Sequence, residues 1–240
     1  MRKLSFIILL LITNLALAQD NLSELISAGE NSIKEKNYKA AVSSYKHALE
    51  ISNADTLALN GIIRALTLMG DYREAQKYAE DAIKTYPDNA EFIFRKGIIH
   101  NLNGDHEKAV EEFNSALNLK STQNLKIRIL LNKASAEFKL ENFTGALDDY
   151  NQVIELDPRN ANAYNYRGLV NYRLNYFIDA VNDYNNSIDL EPNVASTYYN
   201  RGMSYLKLNE KYKACVDFHK ACQLKYVNAC KMIVIECSNQ

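Results

Sequence analysis

Two hydrophobic patterns divide the chain. Leu4 to Leu17 is almost unbroken apolar sequence, interrupted only by Ser5, Thr13 and Asn14. It follows the basic pair Arg2-Lys3, ends in Ala16-Leu17-Ala18 and gives way to polar Gln19-Asp20-Asn21. A basic start, a short apolar run and small residues before a polar stretch predict an export signal cleaved after Ala18. The run is shorter than the roughly 20 apolar residues that a membrane span requires. No integral membrane segment is therefore expected after cleavage. No cysteine stands directly after the cleavage position, which argues against a lipid-anchored form.

The second pattern recurs. Asn37-Tyr38-Lys39-Ala40-Ala41 is echoed by Asp71-Tyr72-Arg73-Glu74-Ala75, Asp105-His106-Glu107-Lys108-Ala109 and Asn142-Phe143-Thr144-Gly145-Ala146. Two later copies close on Ala180 and Ala214. The spacings between these alanines are 34, 34, 37, 34 and 34 residues, and Pro87, Pro158 and Pro192 each stand 12 residues after one of them. A fixed period of this length marks a repeat architecture, in which each copy buries its apolar side only against its neighbours.

Period and grammar together resemble the tetratricopeptide repeat family, whose unit is a helix–turn–helix. The resemblance implies an all-α, right-handed α-solenoid of six repeats, 22–55, 56–89, 90–123, 127–160, 161–194 and 195–228. Residues 229–240 would form a helix capping the last open face. Several positions match at once. Repeat position 8 is small at Gly29, Gly97, Ala134, Gly168 and Gly202, with Ile63 departing; position 20 is alanine in all six copies. Position 24 is aromatic at Tyr45, Phe113, Tyr150, Tyr184 and Phe218, with Ala79 departing. Small residues let two helices approach, and the aromatic ring fills the space beside them. Gly70 and Gly104 suit the end of a first helix. The prolines stop the second helix.

Charge adds a second expectation. Position 7 is a cation in four copies, Lys96, Lys133, Arg167 and Arg201, and position 23 of those same copies is an anion, Glu112, Asp149, Asp183 and Asp217. The first two copies have neither. Pairing within each hairpin accounts for all six copies, whereas pairing with the preceding repeat leaves Lys96 facing Tyr78. Partly buried ion pairs are expected, rather than a basic stripe for an acidic ligand.

The four cysteines, Cys215, Cys222, Cys230 and Cys237, stand together near the C-terminus, and an even count in an exported chain suggests disulfides. Residues seven apart on one helix lie about 10.5 Å apart, beyond disulfide reach. That excludes Cys215 with Cys222. In an antiparallel hairpin, facing residues share one index sum. Cys222–Cys230 and Cys215–Cys237 meet that condition together. The remaining pairing, Cys215–Cys230 with Cys222–Cys237, needs partners offset by two turns. The Cys222–Cys230 spacing also looks like that of disulfide-linked, exported cysteine-rich relatives of this fold.

Composition narrows function by exclusion. Apolar residues at 47% and charged residues at 24% exclude a disordered chain, and 3 Pro with 8 Gly exclude a collagen-like one. The net charge of −1 becomes more negative when Arg2 and Lys3 leave, so no broad basic surface serves nucleic acid. His47, His100, His106 and His219 form no metal-ligand spacing, and no phosphate loop or hydrolase elbow occurs. Glu111-Glu112 and Asp148-Asp149 are adjacent on a helix and point apart. No cofactor, metal or catalytic residue is expected, and the chain is read as a non-enzyme.

What remains is recognition. In the family, first helices line a concave groove at repeat positions 2, 5, 9 and 12. Carried over, these give Asn60, Arg64, Phe94, Ile98, Asn101, Leu131, Ser135, Phe138, Asn165, Leu169, Tyr172, Tyr199, Met203 and Leu206. The set is apolar and aromatic with interspersed amides, which suits a peptide or partner protein. Arg64 is its one cation, so a clamp for a terminal carboxylate is not matched. The reading is an interaction scaffold in an exported compartment, periplasmic or secreted. A carbohydrate- or cell-wall-binding module is the alternative. The sequence leaves the oligomeric state open.

Overall fold

The computed structural model describes residues 19–237. The expected export signal and the last three residues of the expected cap lie outside them. The described residues are helical throughout, with no strand among them. They form two compact units that divide at Lys120 and Ser121.

The first unit holds α1 (19–34), α2 (Tyr38–Ile51), α3 (Thr56–Met69), α4 (Tyr72–Thr85), α5 (Ala90–Leu102) and α6 (His106–Leu117). The second holds α7 (Gln123–Lys139), α8 (Phe143–Leu156), α9 (Ala161–Arg173), α10 (Phe177–Leu190), α11 (Ala195–Lys207), α12 (Lys211–Gln223) and α13 (Val227–Met232), then a π-helical turn, Ile233–Cys237. Residues 124–126, which break the period, lie within α7. The longest helix among the described residues thus absorbs the irregularity without a loop.

Short polar side chains start most of these helices. Asn37, Asp55, Asp71, Asn89, Thr122, Asn142 and Asn160 each accept a bond from a backbone N–H of the first turn. Each satisfies a donor that has no partner within its helix. The turn inside every hairpin contains a left-handed residue. Gly70 and Gly104 take that place at φ 84° and 91°; Lys36, Glu141, Asn175 and Asn209 take it elsewhere. Lys225 repeats this conformation after α12. For that reason α13 starts at Val227, two residues before the expected cap: α12 ends in the turn used within hairpins, not the proline turn used between them.

Packing inside the hairpins rests on glycine against an aromatic ring. A Cβ on Gly97 would lie 2.5 Å from Phe113, one on Gly168 2.8 Å from Tyr184, and one on Gly202 2.8 Å from Phe218. Tyr45 is enclosed on two sides, because a Cβ on Gly29 or on Gly61 would come within 2.6 Å and 2.3 Å of its ring. The sequence singled out Gly29 but not Gly61, which belongs to the next repeat.

The charged pairs form within hairpins. Lys96 meets Glu112 at 2.7 Å, and Lys133 meets both oxygens of Asp149 at 2.8 and 2.9 Å. Arg167 and Arg201 each present two nitrogens to the carboxylate of Asp183 and Asp217, with the shortest contacts 2.6 and 2.7 Å. These planar forks satisfy both carboxylate oxygens of a buried aspartate. Their ends also reach backward, Arg167 to Asn151 at 2.8 Å and Arg201 to Asn185 at 2.7 Å.

Helices α10 to α13 lack side-chain caps. The chain is covalently tied at that end instead. Cys215 is bonded to Cys237 and Cys222 to Cys230, with Cα atoms 5.8 and 4.9 Å apart. Both bonds join α12 to the segment that follows it.

Candidate functional site

The expected groove residues fall into two groups with different chemistry. In the first unit the polar ones are taken up by neighbouring groups outside the expected set. Glu30 on α1 accepts from the Tyr45 hydroxyl at 2.9 Å and pairs with Arg64 at 2.9 Å. Asn60 accepts from Arg95 Nε at 3.4 Å and donates to Thr56 O at 3.0 Å; Arg95 also pairs with Glu91 at 2.7 Å. Asn101 holds His106 Nδ1 at 2.7 Å. Phe94 corrects the expected lining: it is 1% exposed and packs on Phe113 with ring centroids 5.8 Å apart. A ring so enclosed has no surface to offer. Ile98 is half-buried.

In the second unit, Leu131 is half-buried and Ser135 exposed. Phe138 stands edge-on to Phe143 at 5.5 Å, with the Arg173 guanidinium 5.3 Å from its centroid. Four of the remaining residues, Leu169 and Tyr172 from α9 and Tyr199 and Met203 from α11, gather around one hollow of about 150 Å³, together with Asn200 and Tyr184. Leu206 is half-buried on α11, near but outside this lining.

Aromatic neighbours hold the walls. Tyr172 stands edge-on to Phe177 at 5.5 Å, while Tyr199 packs on Phe218 at 5.8 Å and on Tyr226 at 5.1 Å. No charged side chain lines the hollow. Such an arrangement selects against ionic groups, because a charge would lose its water with no counter-charge to replace it.

Unused hydrogen-bonding capacity falls on the three helices around this hollow. Among the described residues, the buried side-chain atoms without a partner in the protein are Asn165 Oδ1, the Tyr184 hydroxyl and Thr197 Oγ1. All three lie on α9, α10 and α11. Tyr184 is 0% exposed. Burial, together with nearby Asp183 and Tyr172, holds its phenol well above the usual range, so it stays an O–H donor. Sequence reading did not find this hydroxyl. Positions 9 and 24 carry the signal: Tyr45 donates to Glu30, whereas position 9 of the repeat that holds Tyr184 is Leu169, which offers no acceptor.

A second, more open hollow of about 420 Å³ lies on α8, α9 and α10. Asn151, Asn171, Asn182, Asn186, Asp179, Asp183, Arg167, Tyr176 and Leu147 line it. Its Arg167, Asp183, Asn151 and Asn171 already bond to one another. Among the described residues, no group of three or more His, Cys, Asp or Glu side chains could hold a metal ion, and no helix is long and apolar enough to cross a membrane.

Comparison with known proteins agrees with this architecture. Sequence models of the tetratricopeptide repeat match residues 32–93, 63–124 and 195–228, and a further TPR repeat model matches 134–175. Human tetratricopeptide repeat protein 6 is 26% identical over 146 residues, 61% of this chain and 27% of that protein. A DnaJ homolog subfamily C member 7 homolog of Schizosaccharomyces pombe is 27% identical over 99 residues, 38% of this chain and 21% of that protein. The chain thus spans well under half the length of either relative. Among solved structures, PilF of Pseudomonas aeruginosa is similar with a TM-score of 0.75 at 13% identity, covering 86% of this chain and 93% of PilF. YrrB, a TPR protein with an unusual peptide-binding site, is similar with a TM-score of 0.63 at 18% identity, covering 80% of this chain and 98% of YrrB. At such identities the structures speak for the fold alone. With the period, the glycine–aromatic hairpins and the matches to the repeat itself, the chain belongs to the tetratricopeptide repeat family.

Proposed function

We propose that the protein is a non-enzymatic interaction scaffold that binds a peptide or a segment of a partner protein on the first helices of its last two complete repeats. The observation that carries this reading is the uncharged hollow bounded by Leu169, Tyr172, Tyr199 and Met203, with its walls held by further aromatic rings. Rigid aromatic and aliphatic anchors lose little side-chain entropy on binding and suit a partner's apolar side chain. The first unit is less suited, because its corresponding groups are taken up by Tyr45, Glu30 and Arg64.

The compartment belongs to the same proposal. The Arg2-Lys3 start, the apolar run to Leu17 and the Ala16-Leu17-Ala18 ending support export. The two disulfides support an oxidising destination such as the periplasm. A mature N-terminus at Gln19 in protein recovered from the envelope tests it; an intact Met1 in reduced, cytosolic protein would refute it.

To test the binding site, the full chain and a Leu169→Glu, Met203→Glu variant are immobilised and exposed to envelope extract. Equal helicity and melting of the two proteins come first. Partners held by the original and lost by the variant support the reading. Equal retention by both contradicts it.

A second reading rests on the amide-rich hollow beside Asn182 and Asn186. Amides and carboxylates with an exposed tyrosine suit a hydroxyl-rich ligand, which fits a carbohydrate- or cell-wall-binding module. Retention on purified wall material, lost in Asn182→Ala, Asn186→Ala, would favour it.

A further inference from the structure

We propose that the hollow between α9, α10 and α11 is a subsite for one uncharged side chain, phenyl-sized or branched aliphatic, of an extended peptide segment, and that the Tyr184 hydroxyl donates to a carbonyl of that segment. This rests on the peptide-binding reading above and specifies its ligand.

Three observations carry it. The first is size and polarity. A hollow of about 150 Å³ with no charged lining matches the kind of apolar cavity that holds a benzene-sized group. A terminal carboxylate or a lysine would find no counter-charge there.

The second is the fully buried Tyr184 hydroxyl. It donates to nothing in the protein, and its residue forms part of the wall. The first repeat shows where such a hydroxyl reaches. Tyr45 occupies the same repeat position, lies against the same glycine position, and its hydroxyl reaches Glu30 at position 9. Position 9 of the fifth repeat is Leu169, another wall of the hollow. The donor therefore lies beneath the Leu169 wall of the hollow, covered in the free protein, and the occupant reaches it by displacing the Leu169 side chain. A buried donor without an acceptor is costly, and a ligand carbonyl removes that cost on binding.

The third is Asn165 Oδ1, an acceptor without a donor one helical turn before Leu169 on the same face of α9. The unpaired donor on α10 and the unpaired acceptor on α9, both covered in the free protein, are complementary to the C=O and N–H groups of an extended peptide that displaces the side chains over them. A lone hydrocarbon would leave both unsatisfied.

The probe is a random peptide library displayed on phage, selected on the immobilised full chain. Selected peptides are expected to share one Phe, Leu or Ile at a fixed position, without charge at that position. Their affinity is expected to fall about tenfold on Tyr184→Phe, the effect of one hydrogen bond. The melting temperature of that variant should not fall, because the substitution removes an unpaired hydroxyl and keeps the ring. A second variant, Met203→Trp, fills the hollow and is expected to abolish binding. Peptides anchored by a charge, or indifferent to both Tyr184→Phe and Met203→Trp, would overturn the subsite while leaving the groove reading in place if Leu169→Glu, Met203→Glu still abolishes their binding. Recovery of no peptide, or of peptides indifferent to that double substitution, would overturn the groove reading itself.

Discussion

Arg167 donates through Nη1 to Asn151 Oδ1 at 2.8 Å, sixteen residues back, and so ties one repeat to the repeat before it. The same guanidinium grips Asp183 within its own hairpin, and Arg201 repeats both contacts with Asn185 and Asp217. One side chain thus fixes the helix pairing inside a repeat and the stacking between repeats. A lysine, as at Lys133, lacks the second arm.

Substitution separates the two jobs. Arg167→Lys is expected to keep the ion pair, lose the contact to Asn151 and destabilise by about 1 kcal/mol. Arg167→Ala leaves a buried carboxylate unpaired and is expected to cost about 3–5 kcal/mol. Urea unfolding measures both. A double-mutant cycle of Arg167→Lys with Asn151→Ala should be non-additive, and strict additivity would deny the link between repeats.

The ladder also sets a pH dependence. Burial holds the carboxyls of Asp149, Asp183 and Asp217 above their ordinary 3.8, against the opposing pull of Lys133, Arg167 and Arg201. Between 3.8 and those raised values the folded chain binds more protons than the unfolded chain. Stability contributed by these groups therefore rises as pH falls through that window. Melting of the protein and of a variant with all three aspartates changed to Asn should diverge in favour of the original on acidification from neutral pH. Convergence would contradict the direction of the shifts.

Glycine against tyrosine is a matter of space. Gly61→Ala would place a methyl 2.3 Å from the Tyr45 ring, and a loss of about 1–3 kcal/mol is expected. At Gly70 nothing lies within 4 Å of an added Cβ, yet φ is 84°. Gly70→Ala should therefore cost about 1 kcal/mol through backbone strain alone. Only the first loss should shrink when Tyr45 is changed to Leu.

The C-terminal bonds close loops of 22 and 8 residues in sequence separation. Replacing either pair by serine is expected to lower stability by about 2–4 kcal/mol if chain entropy dominates. Peptide mapping of unreduced protein should yield Cys215–Cys237 and Cys222–Cys230 crosslinks. A Cys215–Cys230 crosslink in native protein would contradict the nested register.

Much of this was legible in the sequence because repetition makes each position its own control. The co-occurrence of cations at position 7 with anions at position 23 identified Arg167 with Asp183, and the index sum allowed the cysteine register. The backward contacts to Asn151 and Asn185 were missed, although an asparagine at position 25 precedes each arginine repeat. Exposure was harder to read than contact. Phe94 and Tyr199 share repeat position 5, and their rings lie at the same 5.8 Å from Phe113 and Phe218. Phe94 is nevertheless buried, whereas Tyr199 keeps a face at the hollow. The difference depends on what surrounds each helix, which a single position does not encode.

The chain holds four methionines, and Met203 lines the hollow whereas Met69 and Met232 do not. With methionine methyls carrying carbon-13, a library-selected peptide is added and their resonances are followed. If the groove of the last two complete repeats binds peptide, the Met203 signal moves saturably while Met69 and Met232 stay in place. A Met203 signal that stays fixed while peptide binds would place recognition elsewhere on the protein and contradict the proposed site.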